Sequence, residues 1–145
     1  MENKIIEPKS VCTTRLVKSE DLNHHGTLFA GRTAEWVVEA GFTAAAKLVD
    51  PKSVVCLKIH GMYFSTPARP GEILTLISKV VWTGRSTLVS HIKVYKDELV
   101  EPIVNSFITF INVNAETKSA PHYIEISPKT EEDILLYEQA KNLPK

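Results

Sequence analysis

The residues with the clearest chemical potential lie in one short segment, from Asn23 to Gly31, directly before a predicted helix. The first turn of a helix has unpaired backbone N–H groups and the positive end of the helix dipole, which together stabilise negative charge on a reacting carbonyl oxygen. Gly31 would let a substrate approach these groups closely, because glycine has no side chain. Asn23 could orient that substrate or a water molecule. Alternatively, Gly31 serves only a tight loop, and Asn23 hydrogen-bonds its own backbone in a turn.

Two carboxylates, Glu35 and Glu39, follow within the predicted helix. A carboxylate in a helix that is apolar on nearly all sides is costly to bury unless it is paired or has a function. Glu39 is therefore a candidate general base or nucleophile. The alternative is a carboxylate at a subunit interface, paired with a Lys or an Arg. We expect Glu35 to be structural or to lie at the rim of a site.

The histidines and cysteines do not form a recognisable set of metal ligands. His24 and His25 are adjacent in a loop, and no spacing of His, Cys, Asp or Glu matches a zinc site. Cys12 and Cys56 both lie in strand-like segments, where we expect reduced core residues rather than a disulfide. The sequence therefore predicts no metal and no redox cofactor.

Hydrophobic periodicity predicts one α+β domain over residues 1–145, with residues 31–49 as its one long and largely buried helix. Residues 1–9 are expected to be a loose arm, and the C-terminal segment 128–145 is expected to hold a surface helix. Strands are predicted at 11–17, 54–64, 72–82, 86–96 and 103–113. Because the connections between successive strands after the helix are short, we expect an antiparallel meander.

Charge and hydropathy exclude two classes of partner. Lys and Arg together number 17, and Asp and Glu together also number 17, so the basic excess typical of a nucleic-acid-binding protein is missing. No window reaches the roughly 18 apolar residues of a membrane span, and the polar N-terminus lacks the apolar core of a signal peptide. We therefore expect a cytoplasmic protein that binds neither nucleic acid nor a membrane.

Four landmarks, in this order, resemble the acyl-CoA thioesterases of the hotdog-fold superfamily. They are the segment from Asn23 to Gly31, FSTP at 64–67 followed by PGE at 70–72, TGRST at 83–87, and FITFINV at 107–113. Together they cover roughly residues 10–115. The resemblance implies a hotdog fold, in which a five- to six-stranded antiparallel sheet wraps one long central helix. It also implies an acyl-CoA thioesterase that releases a free carboxylic acid and CoA, assembled as a homodimer at minimum, or as a tetramer or hexamer.

The resemblance also assigns roles to individual residues. It implies that Asn23, Gly31 and Glu39 are catalytic. Most relatives carry the catalytic acid seven residues after the glycine at the helix start, and this chain has Val38 there. One residue rotates a side chain by about 100° around a helix, so Glu39 takes over only if the loop or the register also shifts. The missing acid supports a different hypothesis, a catalytically silent acyl-CoA-binding module or assembly subunit.

Candidate CoA contacts follow in the turn Arg85, Ser86 and Thr87, because the fork of donors on arginine suits phosphate. The alternative is a turn arginine that points to water, and Lys58 and Arg69 are weaker candidates of the same kind. The aromatic residues could line an acyl pocket or belong to the ordinary core; they are Phe42, Tyr63 and Trp82. Hydratases of the same fold typically have an Asp and a His five residues apart in one loop, whereas Asp21 and His25 are four apart, which disfavours that activity.

Overall fold

The computed structural model describes residues 2–97 and 100–144. The long predicted helix is present as α1 (Ala30–Ala46) and ends three residues before the end of the predicted range. Residues 47–49 form a turn instead, because Pro51 disfavours helix in the residues just before it. Asp50 then accepts a hydrogen bond from the Lys52 N–H at 2.9 Å and caps the short 3₁₀ helix Pro51–Ser53.

Among the described residues, seven strands accompany α1: β1 (Lys4–Ile6), β2 (Val11–Leu16), β3 (Val54–Ile59), β4 (Ile73–Thr83), β5 (Thr87–Lys96), β6 (Val104–Asn112) and β7 (Ile124–Ile126). Five of them form one antiparallel sheet in the order β2-β4-β5-β6-β3. The predicted α+β class and the five-stranded antiparallel sheet of a hotdog fold are confirmed. The two shortest strands, β1 and β7, pair in parallel beside this sheet. The expectation of a loose arm over residues 1–9 is therefore wrong for Lys4–Ile6, and Met1 lies outside the described residues.

The predicted meander is only partly correct. Strands β4, β5 and β6 follow one another as antiparallel neighbours, as expected. Strand β3 is not next to β4, because it pairs with β6 at the edge of the sheet. It also ends at Ile59 rather than at residue 64, and the segment that follows stays beside β6 through single hydrogen bonds, from the His60 N–H to Phe107 O at 3.0 Å and from the Ser65 N–H to Ile103 O at 3.1 Å.

The core lies between α1 and one face of the sheet. Its fully buried side chains include Val37 and Ala45 of the helix and, from the strands, Leu74, Leu76, Ile92, Ile108 and Phe110. Each large aliphatic side chain buried in this way contributes about 1.5–3 kcal/mol. Two serines fix the helix to the sheet, since Ser78 Oγ donates to Ala40 O and Ser90 Oγ donates to Gly41 O, both at 2.8 Å.

The opposite face of the sheet is covered by α2 (Glu131–Lys141), a surface helix as predicted; Lys145, at the end of the predicted segment, lies outside the described residues. Thr130 caps this helix, because its side chain accepts a hydrogen bond from the Asp133 N–H at 3.1 Å. Leu136 and Ala140 pack against Val81 and Val89 of the sheet. This layer holds the C-terminal end of α2 against the hairpin of β4 and β5.

One histidine is buried on this second face. His91 is 2% exposed, and its Nε2 hydrogen-bonds Asn105 Oδ1. Burial lowers the His91 pKa to about 4; the bond to Asn105 opposes this shift, while the nearby Lys93 and Lys79 add to it. His91 is therefore neutral at physiological pH.

Within residues 2–97 and 100–144, none of the helices has the length and apolar character needed to cross a membrane.

Candidate active site

Asn23 organises the loop that leads into α1. Its Oδ1 accepts hydrogen bonds from the His25 N–H at 2.8 Å and the Thr27 N–H at 3.2 Å, and its Nδ2 donates to Thr27 Oγ1 at 3.1 Å. The Asn23 N–H also donates to Thr27 O at 2.7 Å. These bonds match the turn role that the sequence left open. They fix the shape of the segment before the helix.

Three further contacts anchor this loop to the rest of the fold. The Asp21 side chain is 3% exposed, and its carboxylate lies 3.6 Å from Arg32 Nε in the first turn of α1. The same carboxylate accepts the Lys18 N–H at 2.9 Å. The Leu28 N–H donates to Ala68 O at 2.8 Å. The entry into α1 is therefore held from both sides.

The start of α1 offers two backbone donors. Phe29 precedes the helix and provides no side-chain cap. The Arg32 and Thr33 N–H groups donate to Phe29 O at 2.9 and 3.1 Å. The N–H groups of Ala30 and Gly31 come earlier in the first turn, where a helix supplies no acceptor of its own. They are suited to bind an oxygen that carries negative charge.

Gly31 also has a local packing role. A Cβ atom added at Gly31 would lie 2.5 Å from Cε2 of Phe29, so the phenyl ring lies directly against this glycine. Phe29 is 54% exposed. A side chain at position 31 would therefore have to displace an exposed ring at the mouth of the helix start.

A groove of about 620 Å³ runs from this helix start along α1 to the edge strand β3. Its lining residues are Gly31, Ala34, Glu35, Val38, Glu39, Phe42, Cys56 and Phe110. Phe42 meets Phe110 edge to face, with ring centroids 6.1 Å apart. Phe42 lines this groove, whereas Tyr63 is 77% exposed and belongs neither to the groove nor to the core.

Glu39 is not buried, in contrast to the expectation for a helix that is apolar on nearly all sides. Its side chain is 64% exposed and forms an ion pair with Arg15 of β2. The Arg15 guanidinium also lies 5.5 Å from the ring centroid of Trp36. The alternative to a catalytic role was a Glu39 carboxylate paired with a Lys or an Arg. The structure shows such a pair, with Arg15, within one subunit. Val38 and Glu39 both line the groove, and the carboxylate is turned toward β2.

Cys56 is the groove residue that the sequence did not reveal. Both cysteines are free, as expected, but both are exposed, so their placement in the core is wrong. Cys56 lies on β3 two residues after the buried Val54, and alternate residues of a strand share a face. If β3 had been recognised as an edge strand, this alternation would have predicted that the Cys56 thiol lies beside α1. Partial burial raises the Cys56 pKa.

Arg85, Ser86 and Thr87 lie together in a second cavity, of about 680 Å³, on the other face of the sheet. The turn that carries them is tight: the Gly84 N–H donates to Thr87 O at 3.1 Å, and a Cβ atom at Gly84 would lie 2.6 Å from Thr87 Oγ1. Lys58 and Trp82 also line this cavity, whereas Arg69 does not. Trp82 is therefore not an acyl-pocket residue of the α1 groove.

His122 stabilises this turn through a hydrogen bond to its backbone at Thr87. The Ile124 N–H donates to His122 Nδ1 at 3.0 Å, so Nε2 carries the ring proton and donates to Thr87 O at 2.9 Å. Burial lowers the His122 pKa, although the hydrogen bond to the Thr87 backbone acts in the other direction. The neutral ring holds the turn in place and leaves the Arg85 side chain exposed at the cavity.

Comparison with known proteins finds thioesterases and acyl-CoA hydrolases that are similar to this chain. Residues 25–103 match the thioesterase superfamily. A Bacillus subtilis (strain 168) protein named as the uncharacterized acyl-CoA thioester hydrolase YkhA is 28% identical over 143 residues, which is 96% of this chain and 82% of that protein. Among solved structures, an apo-hexameric acyl-CoA thioesterase is 31% identical with a TM-score of 0.82, over 91% of this chain and 86% of the other. An acyl-CoA hydrolase from Bacillus cereus is 27% identical with a TM-score of 0.83, over 91% and 82% of the two chains.

Proposed function

We propose that this chain, which belongs to the thioesterase superfamily, hydrolyses acyl-CoA thioesters to a free carboxylic acid and CoA, and that it does so in the cytoplasm. The observation that carries the proposal is the helix start at Ala30 and Gly31, whose two N–H donors adjoin a groove large enough for an acyl chain. The relatives named as acyl-CoA hydrolases support the choice of substrate.

The first chemical step uses these donors. Water attacks the thioester carbonyl carbon, and negative charge develops on the carbonyl oxygen. The N–H groups of Ala30 and Gly31 stabilise that oxygen. The tetrahedral intermediate then expels CoA as a thiolate, which takes up the proton that the water lost. The Asn23 side chain holds the loop, so its contribution is to fix the helix start relative to the substrate.

Glu39 is the proposed general base. It lies eight residues after Gly31, about 12 Å further along the helix axis. This distance is too large for Glu39 to serve the helix start of its own subunit. In a dimer, Glu39 would reach a thioester bound at the helix start of the partner. Its exposure in one subunit and its ion pair with Arg15 are consistent with a carboxylate that is positioned before the partner covers it.

Assembly through β3 is the second part of the proposal. Strand β3 is at the edge of the sheet and exposes apolar side chains, with Val55 46%, Leu57 59% and Ile59 44% exposed. Long exposed edges with apolar side chains are normally paired or covered. We propose that two subunits join their β3 strands into one continuous sheet, which also covers the groove that Cys56 borders. Further contacts between dimers would give a tetramer or a hexamer.

A catalytically silent acyl-CoA-binding subunit is the second candidate function. One observation favours it: the groove presents the aliphatic Val38, while Glu39 is already paired with Arg15. Such a protein would bind CoA esters in the same groove without turning them over.

A CoA-release assay separates the two candidates. The unaltered protein is supplied with short-, medium-, long-chain and aromatic acyl-CoAs, and free thiol is measured. We expect turnover of at least one class. Binding of acyl-CoA with no CoA release across the whole panel would favour the silent subunit.

A further inference from the structure

A third cavity, of about 390 Å³, lies at the far end of α1. We call it the arm cavity, because the N-terminal residues 4 and 6–11 form much of its lining, together with the end of α1, Val80 of β4 and two residues of β7. It shares no lining residue with the groove at the start of α1. Ala44, which lines it, comes thirteen residues after Gly31, which is about 20 Å along a helix axis. The arm cavity is therefore separate from the proposed active site.

The arm cavity exists because β2 is shorter than its neighbour β4. Their pairing ends where Val11 lies opposite Ser78, whereas β4 continues to Thr83. The chain before Val11 leaves the edge of the main sheet, and β1 pairs with β7 instead. Space thus remains between the end of α1, the part of β4 that β2 does not cover, and the pair of short strands.

The inner surface of the arm cavity is apolar. Alternate residues of a strand share a face, so Lys4 and Ile6 of β1 both line the cavity, whereas Ile5 between them is 65% exposed. On β7, Ile124 and Ile126 line it and are both buried. The remaining apolar surface comes from the helix end and the sheet, through Val11, Ala44, Leu48 and Val80. A ligand that fits here has an apolar body.

The rim of the arm cavity is cationic. Lys4, Lys9 and Lys47 come from three different elements, and all three side chains are exposed. Within residues 2–97 and 100–144, none of the three forms an ion pair. Glu7 is the one acidic residue of the described lining, so the rim has an excess of two positive charges. An anionic group on the ligand would therefore be attracted to the rim.

The kind of anion follows from what else surrounds the rim. The described lining contains no arginine, the residue whose fork of donors suits phosphate. The helix α1 ends here, and the C-terminal end of a helix dipole is negative, which disfavours a ligand with several negative charges. A single carboxylate on an apolar chain satisfies both conditions.

We propose that the arm cavity binds a straight-chain carboxylic acid, with the alkyl chain on the apolar inner surface and the carboxylate among the three lysines of the rim. The volume of the cavity is in the range of small-molecule sites. The inference goes beyond the proposed function, although such an acid is the product of that reaction. It gives the protein a product-binding site at the opposite end of the helix whose start binds the thioester.

The first test measures binding of carboxylates from butanoate to dodecanoate to the full-length chain by titration calorimetry, with octanol as the neutral match for octanoate. Each added methylene should tighten binding about fourfold while the cavity has room, and no further once it is filled. Octanoate should bind more tightly than octanol. Replacing Lys4, Lys9 and Lys47 together by Ala should weaken octanoate at least tenfold, since each exposed charge contact contributes up to about fivefold. Octanol binding should not change, and Lys129→Ala, at an exposed site outside the cavity, should alter neither ligand.

A matched pair of alanines on α1 separates the arm cavity from the groove. Ala44→Leu fills part of the arm cavity and should weaken octanoate at least tenfold, whereas Ala34→Leu, in the groove, should leave it unchanged. The opposite result would place the acid in the groove and overturn the inference. So would octanoate that fails to bind, or a triple lysine variant that loses octanol as much as octanoate. The lysine variants alter only exposed side chains, so they decide the question even if Ala44→Leu does not fold. A chain that releases no CoA from any thioester would refute the proposed activity, while the calorimetry still decides this inference.

Discussion

Replacing Glu39 by Gln separates a catalytic carboxylate from a structural one, because the structure predicts very different magnitudes for the two roles. The Glu39 side chain is 64% exposed and that of its partner Arg15 is 39% exposed. Exposed ion pairs contribute about 0–1 kcal/mol to folding. Glu39→Gln should therefore lower the free energy of unfolding by less than about 1 kcal/mol, and the oligomer should remain intact.

The catalytic role predicts a much larger effect on turnover. Loss of a positioned general base typically costs 10²–10⁴-fold in rate, and a hundredfold loss in kcat is about 2.7 kcal/mol of activation free energy. We expect Glu39→Gln to lower kcat at least a hundredfold with little change in KM. Glu35→Gln, one turn earlier in the same groove, is the matched control and should have a much smaller effect.

Steady-state CoA release, chemical denaturation and light scattering on the same preparations give the three readouts. Mixed dimers provide a further check, because Glu39 is proposed to act on the helix start of the partner. Subunits carrying Glu39→Gln, mixed with subunits carrying Gly31→Val, should regain about half of the sites in each mixed dimer. A kcat close to that of the unaltered protein in Glu39→Gln would refute the assignment and favour the silent binding subunit.

Three further predictions concern the CoA cavity, the sheet edge and the buried histidine. Arg85→Ala should raise KM for acyl-CoA several-fold, because charge-assisted hydrogen bonds contribute about 1.5–3 kcal/mol; an equal rise for acyl-pantetheine would show that Arg85 is structural. Val55→Lys on β3 should shift the protein toward monomers in light scattering, whereas Leu135→Lys, at a similarly exposed site on α2, should not. His91 has a lowered pKa of about 4, so the unfolded chain binds more protons between about pH 6.5 and 4, and stability falls as the pH drops through this range. The loss should reach up to about 3 kcal/mol, and denaturation of His91→Gln should be less sensitive to pH over the same interval.

The sequence predicted helices and strands well where the hydrophobic periodicity extends over many residues. The buried helix and four of the five main strands are found within three residues of their expected ranges, because burial on one or two faces imposes a regular spacing of apolar residues, whereas β3 ends at Ile59 and not at residue 64. The short strands β1 and β7 were missed, since three residues carry too little periodicity to distinguish a strand from a loop. The pairing of β3 with β6 was missed because periodicity gives the faces of a strand and not its neighbours.

The site was harder to predict because its contacts join distant parts of the chain. The burial expected for Glu39 was inferred from the apolar residues around it in the helix, yet its exposure and its pairing depend on Arg15, 24 residues earlier on another element. Lys141 reaches the Arg85 cavity from a helix that follows the last strand of the main sheet. Local composition gives the type of each residue, and only the packing of the elements decides which of them meet.

Strand β3 connects the three parts of the proposed mechanism. Through Cys56 it borders the groove at the start of α1, and through Leu57 and Lys58 it borders the cavity at Arg85. Successive residues of a strand point to opposite faces of the sheet, so Cys56 and Leu57 reach different sites, and the irregularity in the pairing with β6 between Cys56 and Lys58 leaves Lys58 beside the same cavity as Leu57. The same strand is the exposed apolar edge that we propose joins two subunits. Assembly at β3 would therefore position the thioester groove and the cavity at Arg85 together, so a change that separates the subunits should lower both CoA affinity and turnover, even when every catalytic side chain is intact.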